Sequence, residues 1–355
     1  MKTSFHTANR FIFTANAAAL GVLIALNIHA SAATGTLLNT LSISVTNMVA
    51  DPSRPLIYAL EPGSNSVAVI NTNTLSLVTT IPIGSNPTGL ALSPDDSTLY
   101  VADNSASKTI GVLNLATLTT QTSISTPYAP YDVAVGNGNR LYASSLSNGI
   151  MQFNTTNGAY QTIFPGYPAY ISTGVLAISP DRNTLYNETV GTSPITMQQY
   201  NVSTGTASLV QTQNFSQGGS VHPIVSGNGQ YVITDNGYNI DKLSTGNITS
   251  DLGAFNVGAY PGGGVFSPDS SLLYAIEYGS NAVHVFNVSS TAQTATFGIG
   301  EQPVAVTVDN SGKYLFVAES NHLQIFSTGV PEPGTTLFLL VGFGFFGNRR
   351  HRWGN

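Results

Sequence analysis

Five carboxylates, Glu61, Asp103, Asp235, Glu277 and Glu319, recur along the chain, each closing a short apolar run. Carboxylates suit hard cations and accept hydrogen bonds from hydroxyls. Five on one rim would therefore bind a cation, a cationic group or a polyhydroxylated ligand. The same side chains also cap turns at strand ends, because they accept from backbone N–H groups a few residues away. Both roles stay open on the sequence. Histidine offers less: His222 precedes Pro223, His284 alternates with Val283 and Val285, and His322 sits in a turn. None has the spacing of a metal pair, although residues from different parts of the fold could converge. There is no Gly-x-Ser-x-Gly elbow and no phosphate-cradling glycine loop. Pro261-Gly262-Gly263-Gly264 points to a close backbone approach at the start of a strand.

The elements that position these carboxylates are repeated. Each stands three residues beyond an anchor in the series Tyr58, Tyr100, Tyr142, Tyr186, Val232, Tyr274 and Phe316. The anchors are separated by 42, 42, 44, 46, 42 and 42 residues, and Ser145 and Thr189 fill the remaining two positions, with Glu188 beside Thr189. A period in the low forties built from period-2 apolar runs is the signature of a β-propeller blade. The clearest unit runs from Asn86 through Ser93-Pro94-Asp95 and Leu99-Tyr100-Val101-Ala102-Asp103 to Thr109–Asn114, then an alternating strand near Thr119 to Ser125. Ser-Pro-Asp returns at 179–181 and 267–269, where Pro fixes φ and Asp caps the following backbone. A proline precedes most inner strands, at 87, 130, 168, 223, 261 and 303.

The expected fold is therefore all-β, a seven-bladed propeller of four-stranded blades over residues 36–328. Its last blade runs out of chain after Leu323-Gln324-Ile325-Phe326 with three strands. Thr36 to Ile43 matches the outer strand Leu75 to Ile83 but has no blade in front of it. The N-terminal strand is thus expected to complete the seventh blade and remove a free sheet edge.

Charged residues make up 8% of the chain, against roughly 25% in an average soluble domain. Ser, Thr, Asn and Gly take their place, and with no cysteine there is neither a disulfide nor a thiolate site. Between residues 36 and 328 six basic residues face sixteen acidic ones, a formal charge of −10. Such a surface repels phosphate backbones, so nucleic acid is not an expected partner. Arg54, Arg140 and Arg182 fall in turns on the face opposite the carboxylates, which counts against a phosphosugar substrate.

The ends read as addresses. Lys2 and Arg10, the apolar run Phe11 to Ile28, and the small residues Ala30 and Ala32 predict a signal peptide over residues 1–33 with cleavage near those alanines. At the other end, Pro331-Glu332-Pro333 is followed by an apolar stretch from Leu337 to Gly347 and by Arg349 and Arg350. That stretch is shorter than the ~20 residues of a stable spanning helix, and its arginines would stay cytoplasmic. Residues 330–355 closely resemble the PEP-CTERM sorting signal of Gram-negative bacteria. The resemblance implies export, transient anchoring of the C-terminal segment in the inner membrane, and processing near Pro331–Pro333 by an exosortase-type enzyme. It also implies a place at the cell surface or in the extracellular matrix.

Leu99-Tyr100-Val101-Ala102-Asp103-Asn104, with its Ser-Pro-Asp lead, resembles the YVTN repeat of surface-layer propellers, whose superfamily includes lactonase-type enzymes. That family usually carries Asn where the five carboxylates stand, so they depart from its pattern. Together these features predict a non-catalytic exported propeller that binds or structures extracellular polysaccharide or neighbouring surface proteins. The alternative is a secreted lactonase-like hydrolase using the propeller mouth. No cofactor is expected beyond a possible cation at the acidic rim, in which case chelators would lower the melting temperature.

Overall fold

The computed structural model describes residues 32–164, 174–190, 194–215, 222–258 and 260–330. Residues 1–31 of the expected signal peptide and 331–355 of the sorting tail, with Ala30, Pro331, Glu332, Pro333, Arg349 and Arg350, lie outside these residues. Among the described residues no helix is long and apolar enough to cross a membrane.

Seven antiparallel sheets follow one another along the chain. Blade 1 spans Asn47 to Pro82, blade 2 Pro87 to Ser125, blade 3 Val133 to Phe164 and blade 4 Val175 to Phe215. Blade 5 spans Ile224 to Phe255, blade 6 Pro261 to Gly298, and blade 7 Pro303 to Ser327. The strand Leu37–Leu41 is the outer strand of blade 7, pairing Leu37 with Phe326 and Leu41 with Leu323. The ring closes by first-to-last pairing, as the strand count requires.

Second strands are apolar on both faces because each blade packs between two others. In Leu56–Glu61, Tyr58 and Leu60 join Leu99 and Val101 of blade 2, whereas Ile57 and Ala59 join Phe316 and Ala318 of blade 7. Seven core clusters result, one at each blade interface. The Ser-Pro-Asp turns that feed these strands share one geometry. The Ser93 hydroxyl donates to Asp95 Oδ1 (2.6 Å) and accepts from the Ser97 and Thr98 amides, while Asp96 takes a φ of 54°. Arg182 and Ser270 take the same left-handed position in their turns (φ 58° and 60°).

Two details differ from the sequence reading. In blade 5 the residue facing the next blade is Ile233, not Val232, which packs back against Tyr186 of blade 4. The apolar run there is Tyr231-Val232-Ile233, so either parity satisfies the pattern. The outer strand of blade 2 is split, Thr119–Thr120 and Ile124–Ser125 pairing the same neighbour. Its register moves by one residue between Leu113↔Thr120 and Ile110↔Ile124, which marks a bulge.

Candidate functional site

The five carboxylates close the second strands of blades 1, 2, 5, 6 and 7, and they fall into two groups. Asp103, Glu277 and Glu319 pair with the proline that opens their own blade's inner strand, which puts them beside the linker from the preceding blade. Asp103 Oδ1 accepts from the Ser85 and Asn86 amides (3.0 and 2.9 Å), and Thr109 and Ser107 donate to Oδ2. Burial pushes this carboxyl up, but those hydrogen bonds outweigh it and hold it below its usual value. Glu319 Oε1 accepts from the Gly300 amide (3.1 Å). A Cβ at Gly258 would collide with the Glu277 carboxylate, and one at Gly84 would lie 3.0 Å from Asp103 Cγ. Each of these three carboxylates thus has a glycine 19 residues earlier, at 84, 258 and 300. That spacing is a readable signal which the anchor-based reading overlooked.

Glu61 is half-buried and, among the described residues, its carboxylate takes a single long hydrogen bond, from Ser66 (3.4 Å); burial raises its pKa. Asp235, two residues beyond Ile233, lies on the other face of its sheet, toward blade 6, and accepts from the Gly237 amide (2.9 Å). None of the five is among the residues lining the cavity at the inner strands of blades 1, 5, 6 and 7. The three arginines are equally committed. Arg54 pairs with Asp51 (2.6 Å), Arg140 donates to the carbonyls of Asn137, Ser203 and Thr204, and Arg182 donates to Val135 O (2.9 Å).

A cavity of about 280 Å³ opens among the inner strands of blades 1, 5, 6 and 7. Asn47, His222, Tyr278, Thr307 and the backbone of Gly262–Gly264 contribute to its wall. Glycine is required under Tyr278, because a Cβ at Gly262 would collide with that ring. Backbone bonds tie two more tyrosine-bearing segments to Tyr278: its amide donates to Tyr260 O (3.1 Å), and the Tyr260 amide donates to Gly237 O (3.4 Å), next to Tyr238. Tyr238 and Tyr260 are 59% and 69% exposed. These tyrosines went unremarked in the sequence because they sit outside the periodic strands.

Two further carboxylates are buried inside the ring. Asp132 accepts from the amides of Val133 (2.9 Å) and Leu176 of blade 4 (2.7 Å), with His222 Nδ1 3.6 Å away. Burial raises its pKa, and His222 opposes that rise. Glu188 accepts from Thr234 of blade 5, and its Oε1 has no hydrogen-bond partner among the described residues. Burial holds its pKa well above the usual carboxylate range, against the Thr234 bond and helped by Asp235.

Residues 329–352 match the family model for the PEP-CTERM protein-sorting motif. The chain is a seven-bladed propeller with a PEP-CTERM sorting tail. This motif marks it for export through a sorting pathway of Gram-negative bacteria and for processing by an exosortase-type enzyme. The chain is also similar to a seven-bladed beta-propeller protein of Mycobacterium tuberculosis, 29% identical over 145 residues. That alignment covers 40% of this chain and spans 36% of the relative's length. In solved structures the fold resembles a chain of Kuenenia stuttgartiensis hydrazine synthase, with a TM-score of 0.71 and 16% identity. The match covers 84% of this chain and 99% of that one, a likeness of fold alone.

Proposed function

We propose that this exported propeller is a non-catalytic binding protein of the cell surface or extracellular matrix, and that it holds polysaccharide at the blade 5–6 rim. The observation that carries this reading is Tyr278 in the cavity wall, with the exposed Tyr238 and Tyr260 on segments tied to it by backbone hydrogen bonds. A sugar ring presents an apolar C–H face and a hydroxyl edge. A tyrosine answers both with a flat apolar ring and a polar tip, at little cost in side-chain entropy. The weakly charged Ser/Thr/Asn surface and the sorting tail support the same reading. Residues 1–33 then serve as the signal peptide, 36–328 as the binding ring and 330–355 as the tail removed on sorting.

Co-sedimentation of the protein with the host's extracellular polysaccharide tests it. Saturable binding that falls at least tenfold in Tyr238→Ala/Tyr260→Ala is expected. Binding unchanged in that variant, or absent in the parent, overturns it. The second reading, lactonase-like hydrolysis, draws on the Asp132–His222 pair at the cavity. It would require turnover of a neutral lactone that disappears in His222→Ala.

A further inference from the structure

The chain has no cysteine to lock its ring, and the two ends of the propeller meet in blade 7. At that seam Glu301, in the linker from blade 6, Glu319, closing a second strand, and His322, in the following turn, bring three ligand atoms within 4.8 Å of one another. Glu319 is fully buried, and its Oε1 is used by the Gly300 amide. Its Oε2 faces His322 Nε2 at 2.5 Å, an ion pair only when the imidazole is protonated, and has no hydrogen-bond partner among the described residues. A buried carboxylate oxygen without a proton donor is costly in a folded protein, and such atoms are satisfied by water or by an ion. Here the unsatisfied oxygen, an imidazole nitrogen and a second carboxylate lie within 4.8 Å of one another.

We propose that Glu301, Glu319 and His322 form a site for a divalent transition-metal ion of the zinc class, which clips the closing blade. One imidazole with two carboxylates suits zinc better than calcium or magnesium, which take oxygen-only ligands. Three protein ligands leave a fourth position for water. The backbone already prepares the site, since the Glu319 amide donates to His322 O (2.9 Å) and fixes the turn. The same turn is tied to the chain start, where the Ser44 hydroxyl donates to Ser320 O (2.8 Å). An ion here would therefore join the blade 6–7 linker to the hairpin that the N-terminal strand closes, doing for this exported ring what a disulfide does elsewhere. The site is separate from the tyrosine rim, so its success or failure leaves the polysaccharide reading untouched.

The test is thermal unfolding of the full protein, purified with a histidine-free tag and stripped with EDTA, then titrated with ZnCl2 or CaCl2. Zinc at a hundredfold excess over its dissociation constant should raise the melting temperature by about 5 °C, with one ion bound per chain by calorimetry. His322→Ala should abolish the shift. Glu301→Gln alters an exposed side chain that the fold does not need, and should weaken zinc binding at least tenfold with the metal-free melting temperature unchanged. No zinc-dependent shift in the parent overturns the proposal, as does an equal shift in both variants. A shift with calcium but not zinc overturns it too, because it removes the imidazole from the ligand set.

Discussion

Two arcs of the ring solve the same joint differently. In blades 2, 6 and 7 a carboxylate closes the second strand beside a glycine of the incoming linker. In blades 3 and 4 that position holds Ser145 and Thr189, and the carboxylates lie inside the ring, Asp132 reaching Leu176 of blade 4 and Glu188 reaching Thr234 of blade 5. Asp103 holds linker residues, Ser85 and Asn86, that are themselves exposed to water, whereas the interior carboxylates join neighbouring blades where no water substitutes for a lost partner. Acidic residues of one repeat family thus do local work in one arc and hold the ring together in the other.

The largest effect expected from this contrast is at Asp132. Asp132→Ala strands the amides of Leu176 and Val133 between blades 3 and 4, and should cost about 3 kcal/mol in urea unfolding. Asp132→Asn keeps an acceptor and should cost less than half of that. If Asp132→Ala is no worse than the same change at Asp103, burial does not separate the two arcs.

Glu188 should respond with the opposite sign. It is buried with one oxygen unpaired, and its folded pKa lies well above the unfolded value of about 4.3. Between those two values the native state keeps a proton that the unfolded chain has lost, so stability falls as pH rises through that window. Glu188→Gln removes the penalty, keeps an acceptor for Thr234, and should stabilise the protein by about 1–2 kcal/mol at pH 7. Near pH 4 the variant and parent should coincide. Unfolding curves from pH 4 to 8 that run parallel for the two proteins would refute this account.

The fold was legible because propeller repeats impose both a period and a parity, and Tyr58, Tyr100, Tyr142, Tyr186, Tyr274 and Phe316 satisfy both. Parity failed only in blade 5, where Tyr231, Val232 and Ile233 are all apolar and the repeat slips by one without penalty in the pattern. The rim was half-legible. Carboxylate spacing placed four of the five residues on one face of their sheets, but it could not say whether they faced a ligand or a linker. The glycine 19 residues earlier distinguishes these cases, since a backbone that must approach a carboxylate closely needs Gly on the approaching chain. The tyrosine rim and the Glu301–His322 cluster were not legible, because both lie in linkers and turns whose course no periodicity fixes.

The smallest expected effect compares the two kinds of strand end directly. Asp103→Ala releases the Ser85 and Asn86 amides, but these sit at the surface and can turn to water, so the cost should be about 1 kcal/mol. Ser145→Ala, at the equivalent place in blade 3, releases a 3.2 Å bond from Asn148 and should cost less than Asp103→Ala. The Asp103 contribution also carries a pH signature of opposite sign to that of Glu188. Its folded pKa is depressed, so its stabilisation is complete above the unfolded value of about 3.9 and is lost as pH falls through the lower folded value. The gap between parent and Asp103→Ala should therefore be constant from pH 8 to 5 and close below pH 4. A gap that instead widens in acid would mean that Asp103 is held there as a neutral acid, and the rim and the interior would then follow one rule, not two.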